Sequence, residues 1–281
     1  MELKTLIRTQ NHFKSAGRWD IDFHLPPVEI KRFDKKLIKK VDDVAFVANE
    51  KRDPTAHPED TFKYVDIASI DISTGEIVTP QDLSGEEAPS RARKVIRAFD
   101  VLISTCRPTR GAISVVPIEL HNQIASTAFT VLRAKPGVNP YYLHYAIRLA
   151  STLEQFRKWS TGSSYPAILD ADVLKSRIPV PDLDEQEEIA AQIMSAFMVR
   201  SQAIKDANTN WFEKLNSITH ALGTDSQISI QNKPLSMRAN TSLNFIETTL
   251  NDLPPLMFDP PGRRGRGRTD DKGFDFVVEA A

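Results

Sequence analysis

Residues 184–222 contain neither glycine nor proline, and this stretch constrains the fold more than any other feature of the sequence. Its first residues are acidic, which suits the positive end of a helix dipole, so we predict one long helix. Its side chains repeat every seven residues in two rows, Ala190, Phe197, Ile204, Trp211 and Ile218 in the first and Met194, Ser201, Asn208, Leu215 and Leu222 in the second. This spacing predicts a seam that packs on another helix.

We assign nine side chains to this helix interface: Ile193, Met194, Phe197, Ile204, Asn208, Trp211, Leu215, Ile218 and Leu222. A polar residue such as Asn208 weakens the packing of a seam but fixes its register. The alternative is a core helix that packs on its own domain, because such helices show similar periods. The length of the stretch favours a helix that protrudes.

Apart from the helix segment, which we bound at 183–222, the sequence divides by composition into three segments. Residues 1–30 form an N-terminal lead-in, residues 31–182 a mixed domain, and residues 223–281 a tail rich in glycine and proline that we predict to be disordered. In the mixed domain, strands are predicted at 62–70, 99–105, 112–118 and 125–134. A helix is predicted from Asn139, a capping residue, and Pro140 to Ser160. The fold class is therefore α+β, a strand-rich domain followed by one long helix and a flexible tail.

Composition excludes several classes of protein. With 36 Lys+Arg against 37 Asp+Glu, the formal charge is −1, so the chain does not coat nucleic acid by bulk attraction. Its single cysteine excludes an internal disulfide framework. No apolar run reaches the roughly 18 residues of a membrane helix, and the N-terminus lacks the pattern of a signal peptide. We expect a cytoplasmic protein without membrane contact.

The sequence offers no catalytic or metal-binding residues that we would assign. The six histidines are scattered without ligand spacing, and Cys106 has no companion. Neither a nucleophile elbow nor a phosphate-binding glycine loop is present. Residues 259–262, DPPG, resemble the catalytic loop of amino-group DNA methyltransferases but lack its aromatic residue, so we interpret them as a proline-rich turn.

Cations cluster on both sides of the predicted strand 99–105. Arg91, Arg93 and Lys94 precede it, and Arg107 and Arg110 follow it in the turn STCRPTRG. Arginines and hydroxyls on loops between strands can contact phosphates and base edges of nucleic acid. A second polar loop, KWSTGSSY at 158–165, adds an aromatic ring and hydroxyls. The alternative for both loops is a solvated surface.

Several segments resemble, in order, the specificity subunits of type I restriction–modification systems. RIPVPDLDEQEEIAAQI at 177–193 resembles the junction between recognition domain and long helix in that family. Further resemblances lie at 18–27, 64–77, 99–116, 125–147 and 161–168. Together they cover about residues 18–222, and their order is more specific than any one of them.

The resemblance implies a non-catalytic reader of double-stranded DNA within a phage-defence system. One recognition domain reads half of a bipartite site, and paired helices hold two such domains apart. The chain itself would bind no cofactor. A partner DNA adenine methyltransferase subunit would flip the adenine and use S-adenosylmethionine, and a restriction or translocase subunit can join.

The resemblance also places DNA contacts on particular loop residues of this chain. The residues that match its DNA-facing loops are Arg107, Thr109, Arg110, Ser163, Ser164 and Tyr165, with Arg91, Arg93 and Lys94 for phosphates. A full specificity subunit has two recognition domains and two helices, whereas this chain has one of each. We therefore expect a homodimer or a pair with a second half-subunit.

Two other functions stay open. The first is a scaffold that keeps the fold but recruits proteins of a DNA-defence complex without reading bases, which the near-neutral charge favours. The second is an enzyme whose site the motifs do not reveal, and a pocket with convergent titratable residues would show it.

Overall fold

The computed structural model describes residues 9–16, 19, 21–24, 30, 33–162, 164–223 and 240–258. Most of the lead-in at 1–30, residue Ser163, and segments 224–239 and 259–281 of the predicted tail lie outside the described residues, as does the turn DPPG at 259–262.

The described residues form eight α-helices and twelve strands. The helices are α1 (Gln10–Ala16), α2 (Ile21–His24), α3 (Val41–Val44), α4 (Pro140–Arg148), α5 (Ala150–Trp159), α6 (Asp170–Lys175), α7 (Leu183–Ala221) and α8 (Leu243–Asp252). The strands are β1 (Ile38–Lys40), β2 (Ala45–Val47), β3 (Thr61–Val65), β4 (Ile70–Asp71), β5 (Glu76–Ile77), β6 (Gln81–Ser84), β7 (Ala92–Ile96), β8 (Val101–Ser104), β9 (Ile113–Val115), β10 (Gln123–Ser126), β11 (Phe129–Ala134) and β12 (Arg177–Pro179).

Two four-stranded sheets and a helical layer build the domain. One sheet has the order β2-β11-β8-β9 and the other the order β6-β3-β10-β7. All neighbouring strands in them are antiparallel except β3 and β10, which are parallel. The shorter pairs β4-β5 and β1-β12 complete the strand pairing of the described residues.

The sheet that contains β8 is buried on both faces, which explains its continuous apolar run. Val101 and Ile103 pack in one core with α4 and α5, whereas Leu102 packs in a second core with residues of the other sheet. Successive side chains of a strand point to opposite faces, so one strand serves both cores. Phe129, fully buried on β11, belongs to the second core.

The first and last strands of the domain, β1 and β12, lie side by side. Strand β1 pairs antiparallel with β12, with Ile38 opposite Pro179. Helix α7 starts four residues after β12 and is capped by the Asp182 side chain, which accepts a hydrogen bond of 3.0 Å from the Glu185 backbone N–H. The prediction of one long helix is confirmed, and so is the fold class of a strand-rich domain followed by that helix.

The base of α7 is anchored to the domain by a buried amide. The Gln186 side chain donates to the Pro181 carbonyl at 2.9 Å and accepts from the Asn139 backbone N–H at 3.1 Å. Asn139 also caps α4, as predicted, since its side chain accepts from the N–H groups of Tyr141 and Tyr142. The predicted helix 139–160 is in fact two helices, because Leu149 adopts an extended ψ of 143° between them.

The prediction of a disordered tail is wrong for residues 240–258. Helix α8 lies there, and Ile246 is only 1% exposed in a cluster with Ala98 and Phe99. Apolar positions at 243, 246 and 250 give this segment a helical face, and its Ser242 side chain caps the helix by accepting from the Phe245 N–H. The glycines and prolines that suggested disorder lie mostly outside this piece.

All four predicted strands were longer than the strands that form, and two of them also contain a break. The stretch 125–134 is split at Thr127 and Ala128 into β10 and β11, which belong to different sheets. The stretch 62–70 ends as a strand at Val65, because Asp66 caps a short helical turn through the Ser69 N–H.

None of the described helices has both the length and the apolar character that crossing a bilayer requires.

Candidate nucleic-acid interface

Four backbone segments meet at one end of the domain and form a surface that we call the loop face. It consists of Arg91, residues 105–110, residues 127–128 and the described residues of 161–168. The Arg107 N–H donates to Pro166 O at 2.7 Å, and the Ile168 N–H to Thr105 O at 3.0 Å. The structure therefore brings together the two loops that the sequence analysis proposed separately.

Arg107 and Tyr165 touch across this junction. The Arg107 guanidinium carbon lies 4.6 Å from the centre of the Tyr165 ring, and one of its nitrogens donates to Ser164 O at 3.3 Å. The ring itself is 69% exposed. Stacking holds the guanidinium in one orientation while most of its five N–H donors stay available for a partner.

The Arg107 backbone is in the left-handed conformation, with φ 49° and ψ 53°. This conformation turns the chain into the short helical turn Pro108–Arg110, which ends at Gly111 with φ 76°. Thr109 and Arg110 are exposed on this turn. The turn thus presents a hydroxyl and a guanidinium side by side, both suited to base edges or phosphates.

Arg91 and Thr127 extend the loop face. The sequence analysis assigned Arg91 to DNA contact but did not assign Thr127. Arg91 is exposed, and its carbonyl accepts from the Thr127 N–H at 2.8 Å. Thr127 is exposed too, whereas sequence reasoning placed it inside a strand. The small polar pair Ser126-Thr127 before Ala128 was the signal that could have located this turn.

Lys94, which the sequence analysis assigned to phosphate contact, lies outside the loop face and is buried. It is 9% exposed, its ammonium donates to Phe129 O, and Asp170 lies 3.9 Å away. Burial lowers the pKa of Lys94, and Asp170 offsets this in part. Arg93 is also engaged internally, since its guanidinium donates to Ala92 O at 2.7 Å and pairs with Asp53 at 3.4 Å.

Arg133 is held in a buried ion network with Asp100 and Glu50. Arg133 holds both oxygens of Asp100 at 2.8 and 2.9 Å and one oxygen of Glu50 at 2.7 Å. Asp100 is 1% exposed, and this burial raises the pKa of its carboxyl, against which the Arg133 hydrogen bonds act. This network engages Arg133 inside the domain and lies apart from the loop face.

The seam of α7 is the second candidate surface. Beyond the base of the helix its large side chains are exposed: Ile204 to 44%, Trp211 to 61%, Ile218 to 50% and Leu222 to 75%. Asn208 is exposed between them. A stripe of large apolar side chains on a protruding helix is typical of a surface that packs on a partner helix.

The first turns of α7 behave differently from the rest. Ala190 and Met194 are buried on the domain, so Met194, which the sequence analysis assigned to the helix interface, offers little surface to a partner. Ile193 and Phe197 are half-buried and line an apolar groove between α7 and the domain. This groove is continuous with the exposed seam, because Phe197 belongs to both.

His144 lies at the wall of this groove and is buried. Its Nε2 atom lies 3.1 Å from Ile113 O, and burial together with the neighbouring Arg148 lowers the pKa of its imidazole to about 3. The ring is therefore neutral near pH 7. Among the described residues no cluster of three or more His, Cys, Asp or Glu side chains could hold a metal ion.

Comparison with known proteins identifies the family of this chain. The model of the type I restriction modification DNA specificity domain matches residues 34–210, more than half of the chain. The chain belongs to this family. It is also 29% identical over 128 residues to the HindI specificity subunit of a type I restriction enzyme from Haemophilus influenzae, an alignment that covers 42% of this chain and 28% of the relative.

Two solved structures share the fold. The HsdS subunit from Thermoanaerobacter tengcongensis is 37% identical, with a TM-score of 0.54 over 66% of this chain and 47% of that one. A structure described under complex assembly and conformational transition of the type I restriction–modification system is 36% identical, with a TM-score of 0.53 over 69% and 50%. The specificity-domain chain thus spans about half the length of the solved structures that it matches.

Proposed function

We propose that this specificity-domain chain reads one half of a bipartite DNA site and directs a partner adenine methyltransferase to it. The observation that carries the proposal is the loop face, where Arg107, Arg110 and Tyr165 lie together. The long helix α7 follows the same domain in the chain. Exposed arginines and hydroxyls there suit base edges and phosphates.

The second half-site reader in this proposal is another copy of the chain. The exposed seam of α7 pairs with the same seam of the partner, and the pairing is antiparallel so that the two domains lie at opposite ends. The 39 residues of α7 measure about 58 Å at 1.5 Å per residue. Since protein two-fold symmetry is mirrored in the site, a homodimer reads an interrupted palindrome.

The chemistry of modification belongs to the partners in this proposal. The methyltransferase subunit binds S-adenosylmethionine and flips the adenine, and a restriction or translocase subunit can join the assembly. The chain supplies position and sequence selectivity, and it is not itself an enzyme.

A scaffold that recruits proteins is the competing function, and one observation favours it. Lys94, Arg93 and Arg133 are engaged within the domain, so the described loop face retains Arg91, Arg107 and Arg110 as its cations. Few phosphate contacts mean weak non-specific attraction to DNA.

Selection of duplexes from a random library by the purified full chain separates these functions. Specific reading enriches an interrupted palindrome whose binding falls with salt, whereas a scaffold enriches no sequence. An enriched motif with only one half would support base reading but refute the homodimer.

A further inference from the structure

Segment 240–258, which contains α8, docks on the domain through specific contacts. The Asn139 side chain, fully buried, donates to Thr241 O at 2.7 Å, and Glu187 accepts from the Leu243 N–H at 2.6 Å. Farther along, His121 Nε2 lies 2.7 Å from Pro254 O. We call the surface that receives the segment, which includes Asn139, Glu187 and His121, the α8 site. Its side chains form specific hydrogen bonds with the segment.

The α8 site lies at the base of α7, although the chain reaches it from the other end of that helix. Asn240 lies beside Ala191, since both line the same shallow groove. From Ala191 to Ala221 the helix rises about 45 Å at 1.5 Å per residue. The chain has 19 residue steps from Ala221 to Asn240, which reach at most about 63–68 Å when fully extended. Docking on its own domain thus uses about two thirds of the greatest possible reach.

Antiparallel pairing of the seam brings a second, identical α8 site much nearer. Because Ala190 and Met194 are buried on their own domain, the seam that is free to pair runs from Ile204 to Leu222, and antiparallel pairing places Leu222 of one protomer opposite Ile204 of the other. Ala191 of the partner lies about 20 Å farther along that helix at 1.5 Å per residue, and the two helix axes lie about 8–10 Å apart, so the end of α7 is about 22 Å from the partner's α8 site. The same connection reaches this site with most of its length to spare.

We infer that segment 240–258 of each protomer docks on the α8 site of the partner in the dimer. The inference rests on the proposed antiparallel homodimer. In the single chain Ile246 covers Ala98 and Phe99, and in the dimer Ile246 of the other copy takes this place. Exchange of an identical element between protomers adds contacts without requiring a new complementary surface.

Two singly substituted chains test the exchange directly. Ala191→Cys is placed in one tagged chain and Asn240→Cys in a second, both with Cys106→Ser, and the two full-length chains are coexpressed and treated with a short bis-maleimide reagent. We expect a covalent dimer that carries both tags. Each substituted chain alone is the matched control, and we expect no covalent dimer from either one.

The outcomes separate this inference from the proposed function. A dimer in sedimentation that gives no link between the two chains, while a chain with both cysteines links within itself, overturns the exchange and leaves the dimer. A monomer in sedimentation overturns both. A covalent dimer of the Ala191→Cys chain alone means parallel helices and also overturns the exchange.

Shortening the connection gives an independent test. Deletion of residues 226–235 leaves nine steps from Ala221 to Asn240, which reach at most about 30–32 Å and cannot cover 45 Å. Docking on the partner stays possible, so we expect the link between the two substituted chains to persist. Loss of the link in the shortened dimer would contradict the exchange.

Discussion

Substitution Ile204→Ala in the seam of α7 should weaken the homodimer by a predictable amount. Full burial of an isoleucine contributes about 1.5–3 kcal/mol. Because Ile204 is 44% exposed in the single chain, burial of the rest of its side chain in the dimer contributes on the order of 1 kcal/mol of association free energy for each copy. The two-fold dimer loses this twice, about 2 kcal/mol, which is a roughly 30-fold rise in the dissociation constant. Sedimentation equilibrium of the full chain measures it.

Val199→Ala is the matched control for this prediction. Val199 is an aliphatic β-branched residue on the same helix and is 68% exposed, yet it lies off the seam. Both substitutions to alanine favour the helix to a similar degree, so helix propensity does not distinguish them. Equal weakening by both variants, or no weakening by Ile204→Ala, would refute the assignment of the seam.

The remaining predictions concern the loop face and the interior. Arg107→Ala should reduce affinity for the target duplex by about 1–3 kcal/mol in a titration and relax one base position, whereas Arg177→Ala, exposed on β12, should leave both unchanged. Arg133→Ala leaves Asp100 buried without its partner and should lower the free energy of unfolding, measured with urea, by about 3–5 kcal/mol. A decrease below about 1 kcal/mol would contradict a stabilising role for this ion network. Because the pKa of His144 is lowered to about 3 in the folded chain, the unfolded chain takes up the proton first, and stability is lost as the pH falls from about 6.5 towards 3. The loss is about 1.4 kcal/mol per pH unit in that window, and His144→Gln should remove this contribution.

Local sequence signals predicted the long elements well. The absence of glycine and proline with a seven-residue period located α7 to within a residue at each end, because both capping and periodicity act within the stretch itself. The capping role of Asn139 was likewise a local property. The meeting of the two predicted loops was not a local property, because one loop follows strand β8, the other follows helix α5, and backbone hydrogen bonds join them.

What the sequence could not show depends on tertiary packing. Lysine side chains are usually exposed. The burial of Lys94 follows from its contacts with Phe129 O and Asp170, which are distant in the sequence. Helix α8 was missed because its stability comes from the cluster around Ala98 and Phe99, about 145 residues away in the chain. The burial of Met194 depends in the same way on the wall of the groove that the domain supplies.

Adenine methylation across the genome of the native host tests the central claim most directly. Single-molecule sequencing of strains with and without this gene, and of a strain with Arg107→Ala, reports every methylated motif. The proposed function predicts that one interrupted palindromic motif disappears without the gene and is weakened or broadened in the Arg107→Ala strain. Survival of every adenine motif in the strain without the gene would contradict the claim that this chain directs methylation.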